Sequence, residues 1–167
     1  MKPLRIGLLG IGTVCGGTFD VLTRNAEEIS RRAGRPITIT HVADKNTALA
    51  NQVVAGRATV TDDAFGVVRN PDIDVVVELI GGYGVAKQLI LEAINNGKHV
   101  VTANKALLAL HGNEIFAAAR AKGVIVAFEA AVAGGIPIIK ALREGLVANR
   151  IEWIAGIING TTNFILS

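Results

Sequence analysis

Between residues 10 and 17 the chain reads Gly10-Ile11-Gly12-Thr13-Val14-Cys15-Gly16-Gly17, directly after the apolar run Leu4-Arg5-Ile6-Gly7-Leu8-Leu9 and before a helical pattern. Glycines in a turn between strand and helix suit phosphate binding. Gly10 lets the chain turn tightly, Gly12 removes the side chain where a pyrophosphate would approach the backbone, and Gly16 lets helix and strand pack closely. The open N–H groups of the new helix then face the anion. The spacing is G-x-G-x-x-x-G, one residue longer than the usual dinucleotide pattern. A glycine-rich structural turn therefore competes with a phosphate cradle.

Other residues with chemistry to offer fall just after apolar runs. Asp44 ends the β-branched run Ile37-Thr38-Ile39-Thr40-His41-Val42-Ala43. An acid ending the second strand of a dinucleotide fold accepts hydrogen bonds from the adenosine ribose, while an Asp before Lys45-Asn46-Thr47 could equally cap a helix. It lies further from the glycines than the ~20 residues of the pattern, which a longer first helix would explain. Lys45 beside it could meet a 2′-phosphate, so NAD and NADP are both open. Gly81-Gly82 follow the run Ile73 to Ile80, and Thr102-Ala103-Asn104-Lys105 follow His99-Val100-Val101. Ligands of open α/β sheets bind at the C-terminal ends of strands. A lysine there, Lys105, can favour a developing alkoxide or assist proton transfer; the competing reading is a solvated lysine at a helix start.

The elements that must position these residues alternate. Helical spacing runs from Thr18 to Arg32 and stops at Gly34-Arg35-Pro36. The stripe Ala86, Leu89, Ile90, Ala93, Ile94 stops at Asn96-Gly97, and a further helix with Ile115, Phe116 and Ala119 stops at Gly123, before a strand over Val124 to Phe128. Between Thr47 and Asn70 we expect a short helix, an edge strand at Ala58 to Val60, and a helix capped by Thr61 or Asp62. Strands separated by helices predict parallel pairing with right-handed crossovers, hence an α/β fold with a doubly wound parallel Rossmann sheet. Beyond Phe128 the pattern changes: Ile138 to Val147 reads as a helix and Ile151 to Ile158 as a strand. We divide the chain into a nucleotide-binding domain, 1–130, and the start of a second, catalytic or dimerisation domain, 131–167.

Composition narrows the classes. The chain has 167 residues, 50% hydrophobic and 19% charged, with a formal charge of +3. That is globular rather than disordered composition. Five Phe, one Trp and one Tyr, none interleaved with basic residues, argue against a nucleic-acid platform. No uncharged run reaches the ~18 apolar residues of a membrane span, and glycines interrupt any signal-like core near the start. One cysteine, Cys15, forms no internal disulfide, which makes a reducing cytoplasm the expected setting. A thiol near a helix N-terminus is expected to be somewhat acidic.

Four segments in this order point to a family: Gly10-Ile11-Gly12-Thr13-Val14 with Gly16-Gly17; Val101-Thr102-Ala103-Asn104-Lys105; Glu129-Ala130 through Gly134-Gly135-Ile136-Pro137; and Gly156-Ile157-Ile158-Asn159-Gly160-Thr161-Thr162-Asn163. Along essentially its whole length the sequence resembles the N-terminal part of homoserine dehydrogenase, with Cys15 a departure from the small residue expected there. The resemblance implies reversible NAD(P)H-dependent reduction of L-aspartate 4-semialdehyde to L-homoserine, in threonine and methionine biosynthesis. It places Thr13 and Val14 on the pyrophosphate turn, Thr102 beside the nicotinamide, and Lys105 between cofactor and substrate. It also implies a monovalent cation, usually sodium, held by Glu129 and the backbone carbonyls of Val132, Gly134 and Ile136. A helix-capping or salt-bridged Glu129 is the competing account.

The family's acidic substrate-binding residues and second lysine follow the Asn-Gly-Thr-Thr-Asn stretch, which here lies four residues from Ser167. We read the chain as truncated, or as docking that apolar end on another subunit in a homodimer or higher oligomer, and expect nucleotide binding with little or no turnover. Two other readings stand beside it: a non-enzymatic nucleotide-sensing module, and a dehydrogenase of another small substrate.

Overall fold

The computed structural model describes residues 2–156. Six parallel strands form one sheet, β1 (Leu4–Leu9), β2 (Ile37–Ala43), β3 (Thr59–Thr61), β4 (Val75–Glu78), β5 (His99–Thr102) and β6 (Val126–Ala127), in the order β3-β2-β1-β4-β5-β6. Helices α1 (Thr13–Arg24), α2 (Ala26–Ala33), α3 (Thr47–Val54), α4 (Ala64–Arg69), α5 (Gly84–Asn95) and α6 (Lys105–Lys122) make the crossovers. This is the doubly wound sheet expected from the alternation, and its strand order reverses between β1 and β4.

Both faces of the sheet are covered, so the strands are apolar on both sides. Ile6 and Leu8 of β1, with Val75 and Val77 of β4, join Cys15 and Phe19 of α1 and Ala50 and Val54 of α3 in one core. Leu9 and Val76 face the other way, onto Leu89 and Ile90 of α5, Leu107 and Ile115 of α6, and Val67 and Val68 of α4. That alternation is the period of two that splits a strand's side chains between faces.

Several local features depart from the sequence expectation. The first helix starts at Thr13 rather than Thr18, because the glycine turn itself enters the helix, and it breaks at Asn25, where φ −104° and ψ 21° leave helical geometry. The close approach assigned to Gly16 belongs instead to Gly7. A Cβ on Gly7 would lie 2.6 Å from Val67 Cγ1 and 3.0 Å from Ile73 Cδ1, whereas one on Gly16 would meet only Val53, at 4.0 Å. Helix α4 is capped by Asp63, whose Oδ1 accepts the Gly66 N–H at 2.8 Å. Residues 129–131 form a 3₁₀ turn, and a helix over Ile138–Lys140 (α7) continues as one wider turn, Ala141–Gly145. Residues 151–156 carry no strand, so the described part of the expected Ile151–Ile158 strand is absent; the rest of it, and Asn159 to Ser167, lie outside the described residues.

The N-terminal end of the sheet is closed by a buried ammonium. Lys98 Nζ donates to Asn70 O at 2.6 Å and Ile73 O at 2.8 Å, and burial pushes its pKa down. The opposite end stays open. If Gly7 is the residue that sets helix-to-sheet distance, Gly7→Ala should cost ~1–3 kcal/mol by overpacking. Gly16→Ala should be neutral or stabilise by up to ~1 kcal/mol, since glycine inside a helix costs about that much. Urea unfolding of the two variants checks this, and a larger loss at Gly16 than at Gly7 would contradict it.

Candidate functional site

Register brings the candidate residues together. Ala43, Leu9, Glu78 and Thr102 stand in one row across β2, β1, β4 and β5, so Asp44, Gly10, Leu79 and Ala103 leave the sheet side by side. At Gly10 the backbone turns with φ +91°, and a Cβ would sit 3.2 Å from Leu79 O. Glycine is required there on both counts. Gly12 is the N-cap of α1 and offers no side-chain cap, no acid lies in the first turn, and an added Cβ would meet nothing within 4 Å. The first intrahelical bond is Gly16 N–H to Gly12 O at 2.9 Å, so the N–H groups of Thr13, Val14 and Cys15 precede it without a helical acceptor.

Asp44 holds this turn. Its Oδ2 accepts the Ile11 N–H at 2.6 Å and its Oδ1 accepts the Asn46 N–H at 2.7 Å. The cap of α3 is Asn46, through the Leu49 N–H at 3.1 Å. Asp44 is therefore not the helix cap of the competing reading, and each of its oxygens retains a lone pair for a further donor. A cleft of about 510 Å³ opens here, lined by Gly10 to Gly12, Asp44, Lys45, Asp62, Asp63 and Ile80 among others. A second recess of about 300 Å³ adjoins Val14, Gly81, Asn104 and Lys105.

Two residues that the sequence reading did not single out hold the turns that border the second recess. Glu78, fully buried, accepts the N–H groups of Ile80 at 2.8 Å and Gly81 at 3.2 Å, and the Thr102 hydroxyl at 2.8 Å. Asn104 caps α6 through the Leu107 N–H at 3.1 Å and donates from Nδ2 to Gly82 O at 2.7 Å. The available signal was a lone carboxylate inside the apolar run Val75 to Ile80. Lys105 is the first residue of α6, exposed, with no acid in the helix's first turn. A cation at a helix N-terminus is disfavoured by ~0.3–1 kcal/mol, so local stability does not account for it.

Glu129 serves the helix end of the competing account. Its two oxygens accept the N–H groups of Ile139 at 2.8 Å and Lys140 at 2.9 Å. Val132, Gly134 and Ile136 lie in the exposed turn that follows, with positive φ at Ala133 and Gly135. The Ile136 carbonyl accepts the Ile138 N–H at 2.8 Å, while among the described residues no backbone N–H reaches the carbonyls of Val132 or Gly134.

Residues 10–129 match the family model described as the NAD binding domain of homoserine dehydrogenase, and residues 137–167 match the homoserine dehydrogenase model. The chain belongs to the homoserine dehydrogenase family. It is 67% identical to a homoserine dehydrogenase of Pseudomonas aeruginosa over 167 residues, all of this chain and 38% of that protein. It is 44% identical to one of Bacillus subtilis, again over all of this chain and 39% of the relative. Among solved structures, a homoserine dehydrogenase from Thiobacillus denitrificans superposes with a TM-score of 0.93 at 66% identity, covering 99% of this chain and 38% of that one. The chain thus spans well under half the length of these relatives. Residues 10–129 are thus the part that the family model describes as NAD-binding, and among the described residues no helix is long and apolar enough to cross a membrane.

Family membership leaves Cys15 to be explained, and the structure reverses the expected acidity. Burial pushes the thiol up to about 12 from an ordinary 9.0, with the Asp44 charge adding to it. A folded-state value above the unfolded one means that stability is whole below about pH 9 and falls as pH rises toward 12, where only the unfolded chain ionises. Thiol-reagent labelling at pH 8 should therefore be slow and limited by opening of the fold; fast stoichiometric labelling of the folded chain would contradict this.

Proposed function

We propose that the chain is the dinucleotide-binding part of an enzyme that interconverts L-aspartate 4-semialdehyde and L-homoserine with NAD(P). The observation that carries this reading is the row of strand ends where an open helix N-terminus, a ribose-seeking carboxylate and an exposed lysine share one edge of the sheet. The cradle fits a dinucleotide: a side chain added at Gly12 would meet no atom within 4 Å, and the N–H groups of Thr13, Val14 and Cys15 have no helical acceptor. In this reading Gly10 and Gly12 give the pyrophosphate access to the backbone, and Thr13 and Val14 donate to it. Gly16 contributes only through the helix it belongs to, its N–H being spent on Gly12. Asp44 accepts from the adenosine ribose, with Lys45 at the cleft rim. Gly81 borders the nicotinamide; Thr102, expected beside it, is fully buried with its hydroxyl given to Glu78, and acts only by holding the turn that leads to Lys105.

A bound nicotinamide supplies the hydride. Lys105 then stands between cofactor and substrate, where its ammonium favours the oxygen that gains charge and can pass it a proton. Residues 1–130 form the nucleotide domain and 131–167 begin the catalytic and dimerisation domain of a homo-oligomer. A sodium ion is the further element of the proposal, at Glu129, Val132, Gly134 and Ile136. Two carbonyls without backbone partners and an all-oxygen donor set support it. The lone cysteine supports a cytoplasmic setting.

Charge favours NAD over NADP. Three carboxylates, Asp44, Asp62 and Asp63, line the adenosine cleft against one ammonium, Lys45, and a 2′-phosphate would add about −1.5 to −2 charges. NADH should bind about tenfold tighter than NADPH at low salt, with the gap narrowing as salt screens the exposed charges. Nicotinamide fluorescence titration measures both, and no binding of either would overturn the reading. Gly12→Ala should keep the melting temperature and lose most of the binding. Because the chain spans 38% of its relative, we expect binding without turnover: homoserine-dependent reduction of NAD(P) at the rate of a complete enzyme would contradict that.

A further inference from the structure

Beside the point where strand order reverses lies a carboxylate that the proposed chemistry does not use. Glu78 is the last residue of β4 and has no solvent exposure, a setting that tolerates a carboxylate only when its oxygens are satisfied. Both are. Oε1 takes two backbone donors from the β4–α5 turn, and Oε2 takes the Thr102 hydroxyl at the end of β5. Thr102 Oγ1 itself accepts the Asn104 N–H at 3.0 Å, so its single proton is committed to Glu78. Asn104 closes the ring by donating to Gly82 O. The ring thus joins two turns, one carrying Gly81 and the other leading directly into Lys105. None of its bonds reaches the β1–α1 glycine turn or Asp44, which hold the other half of the cleft.

We propose that Glu78 is a positioning residue for the nicotinamide half of the site: it fixes the β4–α5 turn against the β5–α6 turn and so sets where Lys105 stands relative to the cofactor. The inference rests on the dinucleotide reading of the cleft. Its distinguishing feature is polarity along the cleft. A residue that merely stabilised the fold would weaken every ligand alike; Glu78 acts chiefly on the end beyond β4 and β5, touching the adenosine cleft only through Ile80, while Asp44 holds the end beyond β2.

Glu78→Gln tests this with little change of shape. An amide has one acceptor oxygen, so its NH₂ must face either the two backbone donors or a Thr102 hydroxyl whose proton then loses its acceptor. In the 167-residue chain, NADH affinity should fall about tenfold, the effect of losing one charge-assisted hydrogen bond. Affinity for ADP-ribose, which lacks the nicotinamide, should stay within about twofold of its starting value on the same scale. Thr102→Val, which cuts the ring at its second link, should show the same split. Equal losses for both ligands, or no loss, would overturn the proposal. Should the variants fail to fold, amide exchange in the unaltered chain decides: NADH should protect the Gly81 and Asn104 amides more than ADP-ribose does, and equal protection would overturn it. If the unaltered chain binds neither ligand, the dinucleotide reading itself falls.

Discussion

A carboxylate holding a turn is the constraint on which this cleft depends. A parallel sheet releases all its strands at one edge, and the turns that leave it carry backbone N–H groups with no ladder partner. Asp44, after β2, takes the Ile11 N–H of the glycine turn; Glu78, at the end of β4, takes those of Ile80 and Gly81. The two strands flank β1. Each acid thus fixes one wall of the crevice that the strand reversal opens, using bonds to ionisable acceptors, which are among the stronger hydrogen bonds available to a backbone amide. The N–H groups of Thr13 and Val14 precede the first helical bond and have no helical acceptor.

Much of this was legible because it follows local rules. The strand Ile37–Ala43 has the bounds that its β-branched run predicts, and Gly97 and Gly123 mark helix stops as their positive φ allows. What escaped the sequence depends on neighbours distant in the chain. Whether a glycine marks a close approach is decided by what lies opposite: Val67 faces Gly7, while only Val53, at van der Waals distance, faces Gly16. Cys15 sits in a helix's first turn, which favours a thiolate, yet burial dominates and reverses the direction. Glu78 stands inside an apolar run, and its partner Thr102 is 24 residues further on.

The region after β6 shows the same competition between local and long-range demands. Glu129 is tied by both oxygens to the first turn of α7, which joins the 3₁₀ turn after β6 to that helix. The glycine-rich turn between them uses left-handed backbone at Ala133 and Gly135, a conformation that aims successive carbonyls to unlike directions and leaves two without backbone partners. Helix capping and the proposed cation would draw on the same few oxygens.

An all-parallel sheet also sets an order of events in time. No pair of neighbouring strands is joined by a hairpin, and β1 acquires its β4 neighbour only across a sequence separation of 69, as the Arg5–Asp74 bond records. Closing so long a loop is costly in entropy, and contacts of this kind form late. A chain emerging from the ribosome therefore exposes its glycine turn early but owns no cleft until β4 and β5 have followed it out. The first segment of the binding site to be synthesised is then among the last to become competent.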